Sequence, residues 1–161
     1  MGKILTVVVP TYNAEKYLRD NLESFEIPEL MQDIEILIVN DGSTDHSLEI
    51  AREYAERYPD TYRVITKENG GHGSTINCGI RNAVGKYFKV VDGDDWVDAD
   101  MFESLLASAE SHDADMAICG LVYDYEDSSR EKTVETSRLS RESYDRQAIR
   151  QELFPVLINN G

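Results

Sequence analysis

The feature that most limits what this chain can fold into is an alternation. Unbroken apolar runs of strand length recur at "ILTVVV" (4–9), "IEILIV" (34–39), "YRVIT" (62–66), "YFKVV" (87–91) and "DMAICGLVY" (115–123). Their β-branched residues, without regular polar alternation, predict strands buried on both faces. Between them, residues 14–25, 47–58, 74–84 and 101–108 carry apolar residues at helical spacing. A strand, a helix-length connection and another strand make a parallel crossover. The expected fold class is α/β, a mostly parallel sheet with helices on both faces.

Helix starts are marked by side chains that accept from free backbone N–H groups: Asn13, Ser43 or Thr44, and Asp98. A length of 161 residues suits one domain with a real core and is short for two, so a single domain over 1–161 is expected. After Tyr123 the chain turns polar, "DYEDSSREKTVETSRLSRESYDRQ", which reads as an exposed hairpin and then a helix starting near Ser140 or Ser143. The final "ELFPVLINNG" is apolar and reads as a core segment cut short.

Charge narrows the partners. Thirty-one acids against sixteen bases leave a net charge of −15, which repels nucleic acid and anionic lipid, so no nucleic-acid partner is expected. A small anion remains possible if a divalent cation inverts the local charge. Two cysteines, Cys78 in a helical stretch and Cys119 in a strand stretch, have no zinc or disulfide spacing and read as core thiols in a reducing compartment. The opening "MGKILTVVVPTYN" has a short apolar run that stops at Pro10, no cleavage site follows, and no run in the chain reaches membrane-spanning length. A cytoplasmic protein without a transmembrane segment is expected.

In open α/β sheets ligands bind beyond the carboxyl ends of the strands. Four loops stand there: "PTYN" (10–13), "NDGSTD" (40–45), "KENGGHGS" (67–74) and "DGDDWVD" (92–98). Each alone is an ordinary turn or cap sequence. Together they converge on one sheet edge, which favours a binding site. In the fourth loop Asp92, Asp94 and Asp95 repel one another unless a cation or a donor sits among them. Oxygen-only ligands suit magnesium or manganese, and such an ion commonly also holds substrate phosphates. An EF-hand would place Asp92, Asp94 and Glu103 at its first, third and twelfth positions, but Trp96 and Val97 occupy places that need a ligand and a glycine. Neither G-x-G-x-x-G after the first strand nor G-x-x-x-x-G-K-[ST] is present, which removes dinucleotide-binding and P-loop readings.

The ordered set "TVVVPTYNAEKYLRDNLESF", "IEILIVNDGSTDHS", "KENGGHGSTINCGI" and "GKYFKVVDGDDWVD" resembles the family 2 glycosyltransferases of GT-A fold, over residues 3–110. The resemblance implies inverting transfer of a sugar from a nucleotide-diphosphate donor, typically a UDP-sugar, to an acceptor hydroxyl on a glycan or lipid-linked sugar. It implies a nucleotide site of Pro10, Thr11, Tyr12, Asn13, Asp41, Lys67, Gly71, Asp92 and Gly93. Within it, Thr11 and Tyr12 would line the base pocket, Asp41 would accept from the uracil N–H, and Asp92 would face the ribose. Asp94 would hold Mn2+ or Mg2+ at the diphosphate, with Asp95 behind it. Cell-surface polysaccharide synthesis is the expected setting, in the cytoplasm or at the inner face of the membrane.

The sequence departs from the family pattern twice. Ile76 stands in "TIN" (75–77) where relatives often carry Arg, leaving Lys67, His72 or Arg81 to replace that contact, His72 first among them. The base that relatives carry tens of residues beyond the metal motif has no match, since Glu126-Asp127 reads as a solvated turn. The expectation is a donor-binding half over 1–110, the start of an acceptor side over 111–161, and a base beyond residue 161, so that this chain alone would be inactive or weak. Two other readings compete. A sugar-1-phosphate nucleotidyltransferase would carry a Gly-rich, Arg-containing loop where "PTYN" stands. A non-catalytic nucleotide-sugar-binding or interaction domain would show no transfer even in a longer natural chain.

Overall fold

Four of the apolar runs become the strands of one parallel sheet: β1 (Leu5–Thr11), β2 (Ile34–Asn40), β3 (Tyr62–Thr66) and β4 (Tyr87–Val90), ordered β3-β2-β1-β4. The computed structural model describes residues 2–117, 119, 121–123, 132–134, 145–148 and 151. They fall into two compact units, Met1–Ala107 and Ser108–Gly161.

In the first unit β1 and β2 are buried along their whole length, whereas β3 and β4 are sheet edges and only partly covered. That is why the two central strands read as continuous Val and Ile. β1 does not stop at Pro10 but runs on to Thr11. Pro10 is tolerated because β4 ends at Val90, opposite Val8, so among the described residues no strand runs beside Pro10 on that side and no ladder bond is forfeited there.

Odd and even positions of β1 face opposite layers. Leu5, Val7 and Val9 pack with Leu18 and Leu22 of α1 (Leu18–Glu23), Ile50, Ala51 and Tyr54 of α2 (Ser47–Arg57), and Phe102 and Leu106 of α4 (Ala99–Ser111). Val8, with Leu37 and Val39 of β2, packs instead on Cys78 of α3 (His72–Asn82). Helices therefore cover both faces, and the α/β expectation holds. Each fully buried Leu, Ile or Phe contributes about 1.5–3 kcal/mol relative to exposure. Phe25 and Phe102 add an edge-to-face ring contact at 5.7 Å between centroids.

Two local expectations fail for one reason. Residues 14–17 are not helical, and Asn13 is not a cap: the helix begins at Leu18, and Asn13 has φ +51°. The N–H groups of Asn13, Ala14 and Glu15 donate to Ser43 Oγ (3.1 Å), Ser47 Oγ (2.8 Å) and Asp45 Oδ2 (3.1 Å). Bound across to the neighbouring loop, this stretch is held out of the helix. Ser43 and Thr44 do not cap α2 either; Asp45 Oδ1 receives the Ser47 N–H at 3.0 Å. Asp98 does cap α4, its Oδ1 receiving the Met101 N–H at 2.9 Å. α3 starts at His72, two residues earlier than its spacing predicts.

In the second unit β5 (Leu121–Tyr123) and β6 (Lys132–Val134) pair antiparallel, as the expected hairpin requires. Among the described residues the β5 ladder covers three residues of the apolar run 115–123. Cys119 consequently lies before the strand and is exposed, which corrects its reading as a core thiol; Cys78 is buried as expected. A short α5 (Arg146–Ala148) is capped by Asp145, whose Oδ1 receives the Gln147 and Ala148 N–H groups at 2.9 and 2.8 Å. Ser140, Ser143, the Glu126-Asp127 pair and the final apolar segment lie outside the described residues. Among the described residues no helix is long and apolar enough to cross a membrane.

Candidate functional site

The parallel register brings the ends of the strands to one edge. Thr11 pairs with Asn40 and Asn40 with Thr66, so β1, β2 and β3 stop level with one another. The chain then continues in step: Asp41 N–H donates to Thr11 O at 2.8 Å, Lys67 N–H to Asn40 O at 3.0 Å, and Val91 N–H to Val8 O at 3.0 Å. The loops that follow enclose a cleft of about 530 Å³. Every loop singled out from the sequence reaches it.

One wall is the loop after β1. Pro10, Thr11, Tyr12 and Asn13 all line the cleft. The Thr11 hydroxyl is buried and donates to Val9 O at 3.2 Å, so it faces the chain. The Tyr12 ring is 53% exposed and is the free aromatic surface at this wall. Asn13 Oδ1 receives the Thr44 N–H at 2.9 Å, which fixes this loop to the one after β2.

Asp41 lies at the floor with only 3% of its side chain exposed. Its Oδ1 receives the Lys67 ammonium and, at 3.0 Å, the Gly70 N–H; its Oδ2 receives the Gly71 N–H at 2.8 Å. Burial pushes its carboxyl upward, but the Lys67 hydrogen bond, the two glycine N–H groups and the Lys67 charge outweigh burial and hold it below the usual carboxylate range. Asp41 is therefore an anion at neutral pH. Lys67 is engaged with Asp41 and is not among the cleft-lining residues. Gly71, at φ +82°, turns the chain into α3 in a conformation that disfavours a side chain.

The opposite wall is the turn Asp92–Asp95, closed by the Asp95 N–H donating to Asp92 O at 2.9 Å. Asp92, Gly93 and Asp94 line the cleft. A Cβ on Gly93 would stand 3.1 Å from Pro10 O, so glycine lets this turn sit against the first wall. Asp92 Oδ1 has no hydrogen-bond partner among the described residues; His72 Nε2, 3.6 Å away, is too distant for one. The Asp95 carboxyl is pushed up by burial first, then by the charges of Asp94 and Asp92.

His72 lines the cleft, at the start of α3, whereas Arg81 lies in the last turn of that helix and outside the cleft lining. Among the described residues no three His, Cys, Asp or Glu side chains stand close enough to hold a metal ion by themselves. The turn nevertheless fits a hard cation: it offers exposed Asp94, an unpartnered Asp92 oxygen, and an excess of negative charge that a cation would relieve. Such an ion would complete its shell with ligand phosphates and water.

Sequence reasoning missed Asn21 of α1, whose Nδ2 donates to Asp92 O at 3.0 Å and Asp95 O at 2.7 Å, and also Asn69 and Thr75 on the cleft wall. Asn69 sits inside a loop already singled out; Asn21 sits within a helical pattern that carried no sign of the loop it touches.

Comparison with known proteins agrees with this architecture. A family model described as glycosyl transferase family 2 matches residues 6–159. The chain is 41% identical over 133 residues to the uncharacterized glycosyltransferase EpsJ of Bacillus subtilis, a match over 83% of this chain and 37% of EpsJ. Among solved structures, S. aureus TarS 1-349 in complex with UDP-GlcNAc superimposes with a TM-score of 0.61 at 31% identity, covering 70% of this chain and 32% of TarS 1-349. The mannosyltransferase PcManGT from Pyrobaculum calidifontis in complex with GDP-Man and Mn2+ gives a TM-score of 0.51 at 30% identity, covering 61% of this chain and 30% of that protein. The chain thus spans little more than a third of the length of EpsJ and of the putative glycosyltransferase EpsH of Bacillus subtilis. With its sheet, its loops and this family match in agreement, the chain belongs to glycosyl transferase family 2 and has the GT-A fold.

Proposed function

We propose that this chain forms the donor-binding part of a glycosyltransferase that uses a nucleotide-diphosphate sugar, a UDP-sugar in the first instance. The observation that carries the reading is one cleft with an anionic acceptor, Asp41, at its floor and a cation-ready carboxylate turn, Asp92–Asp95, at its wall. TarS, similar over 70% of the chain, was solved with UDP-GlcNAc, and PcManGT with GDP-Man and Mn2+; both support a nucleotide-sugar ligand.

The base end lies between the exposed Tyr12 ring, on which a pyrimidine can stack, and Asp41, which accepts its ring N–H. A carboxylate has about four lone-pair sites. Three donors, Lys67, Gly70 and Gly71, share the sites of Asp41, the Gly70 N–H being split between the two oxygens at 3.0 and 3.2 Å, so the carboxylate keeps room for one more donor. Asp92 faces the ribose, and Asp94 holds Mn2+ or Mg2+ against the diphosphate. The metal supplies Lewis-acid neutralisation of the departing diphosphate. Lys67 acts through Asp41, fixing it as an anion. His72, on the cleft lining, takes the phosphate-side place that Ile76 leaves open.

Transfer with inversion to a hydroxyl of a glycan or lipid-linked sugar, in cell-surface polysaccharide synthesis in the cytoplasm or at the inner face of the membrane, completes the proposal. No described residue is assigned as the acceptor's base, and residues 1–110 are proposed as the donor side of the domain.

The test is a thermal shift with UDP, GDP and dTDP, each with manganese or EDTA, alongside Asp94→Ala. A ligand that binds only the native state raises the melting midpoint. UDP should stabilise the chain in a manganese-dependent way that Asp94→Ala abolishes. Absence of a shift with every nucleotide would overturn the reading. Sugar transfer assayed in a longer natural chain separates an enzyme from a non-catalytic nucleotide-sugar-binding domain.

A further inference from the structure

The Asp92–Asp95 turn is held by a side chain that belongs to none of the cleft loops. Asn21 lies on α1, 1% exposed, more than seventy residues away in sequence. Its amide Nδ2 donates to both ends of the turn, Asp92 O at 3.0 Å and Asp95 O at 2.7 Å. Asp92 O also receives the Asp95 N–H, so the first and last residues of the turn are tied to each other and to the same amide. Gly93 and Asp94 are the two residues between those ties. One helical turn further on, Ser24 Oγ receives the Val97 N–H at 3.2 Å, which extends the attachment of the loop to α1.

The cost of this arrangement shows what it is for. Asn21 Oδ1 is buried with no hydrogen-bond partner among the described residues. A buried orphan oxygen destabilises the fold, and an apolar side chain of similar size would avoid it while still filling the space between α1 and the sheet. What an apolar side chain would lack is the pair of donors that fixes the turn. Displacement of a metal-holding carboxylate by a fraction of an ångström weakens its ligand geometry, so a carboxylate turn without such an anchor would have to be ordered by the ligand itself.

We propose that Asn21 is a positioning residue that presets the Asp92–Asp95 turn for the metal-diphosphate end of the donor, without touching donor or metal. The inference rests on the proposed nucleotide-sugar reading. Its signature is selective: loss of the amide weakens the metal-dependent part of nucleotide binding and largely spares the metal-independent part, which Tyr12 and Asp41 carry on other loops and to which Asp92 adds only its ribose contact.

The experiment is calorimetric titration of the chain and of Asn21→Leu with UDP, once with Mn2+ and once with EDTA, together with Mn2+ electron paramagnetic resonance in the presence of UDP. For Asn21→Leu, the affinity with EDTA should stay within about twofold of the natural chain. The gain on adding Mn2+ should fall about tenfold, the scale of two lost hydrogen bonds. The bound Mn2+ signal should weaken in parallel. If Asn21→Leu does not reach the circular-dichroism signal of the natural chain, Asn21→Ser replaces it under the same criteria. An unchanged Mn2+ gain overturns the inference and leaves the functional reading standing. An equal loss with Mn2+ and with EDTA also overturns it, since Asn21 would then support the fold alone. Failure of the natural chain to bind UDP under either condition overturns the functional reading, and the inference with it.

Discussion

The Asp41 carboxylate receives the Gly71 N–H at 2.8 Å, and this bond fastens the residue after β2 to the residue before α3. Since β2 and β3 are neighbours in a parallel sheet, their following loops are adjacent, and one short acid can gather Lys67, Gly70 and Gly71 around it. Asp41 is thus a structural centre of the cleft as well as its proposed base-reading group.

Replacing Asp41 by Asn removes the charge that Lys67 pairs with and sets an amide among donors. About 1–3 kcal/mol of stability should be lost at neutral pH, the usual penalty for leaving buried donors poorly matched. Urea unfolding measures it, and a change under about 0.5 kcal/mol would mean that Lys67 and the glycine N–H groups find water instead.

The same carboxyl predicts how stability responds to acid. Its folded pKa lies below its unfolded value, so the unfolded chain binds the proton first and the contribution is fully present above the unfolded value, about 4. It is lost as pH falls through the folded pKa. The stability gap between the natural chain and Asp41→Asn should therefore be flat from pH 7 to about pH 5 and close below about pH 4. A gap that widened on acidification would contradict the assignment.

His46 responds in the opposite direction. Glu15 Oε2 lies 2.9 Å from its Nδ1, and this hydrogen bond first, then the Glu15 charge, raises the imidazole pKa. Stability from the pair is present below the unfolded value and is lost as pH rises through the folded one. The ring is 83% exposed, so the sharper readout is the titration itself. Glu15→Gln should move the His46 proton-resonance midpoint downward toward about 6.5. An unmoved midpoint would show that the contact does not persist in solution.

How far the sequence disclosed all this depends on whether each cause is local. Val7, Val8 and Val9 declare a doubly buried strand by composition alone, and once parallel order follows, the four loops must share an edge. Asp98 caps the helix it precedes because partner and donor are three residues apart. Asn13 misled because its partners are Ser43 and Thr44, some thirty residues on, and those bonds outweigh its capping preference. Asn21 was invisible for the same reason: in a helix an Asn reads as a side chain turned to water, and only the packed structure puts Asp92 O and Asp95 O beside it. Cys119 failed through composition, since an apolar run promises burial only where enough ladder exists to create an inside.

The contact that sets α3 at its height above the sheet is Gly79 against Val8. A Cβ built on Gly79 would stand 2.5 and 2.6 Å from the two Val8 methyl carbons, closer than any side chain can accept. Val8 is fully buried in the central strand, so it has no solvent side to swing toward, and relief must come from lifting α3. Gly79→Ala gains helix propensity of about 1 kcal/mol, yet the overpacking should cost more, leaving the chain about 1–3 kcal/mol less stable. His72 and Gly71 sit at the cleft end of the same helix, so lifting it should also weaken UDP binding. Val8→Ala removes both methyls that clash. In a double-mutant cycle the two changes should therefore couple, the pair being less destabilised than the sum of the singles by at least about 0.5 kcal/mol. Additive losses would show that α3 and β1 are not in the close contact that fixes this wall of the cleft.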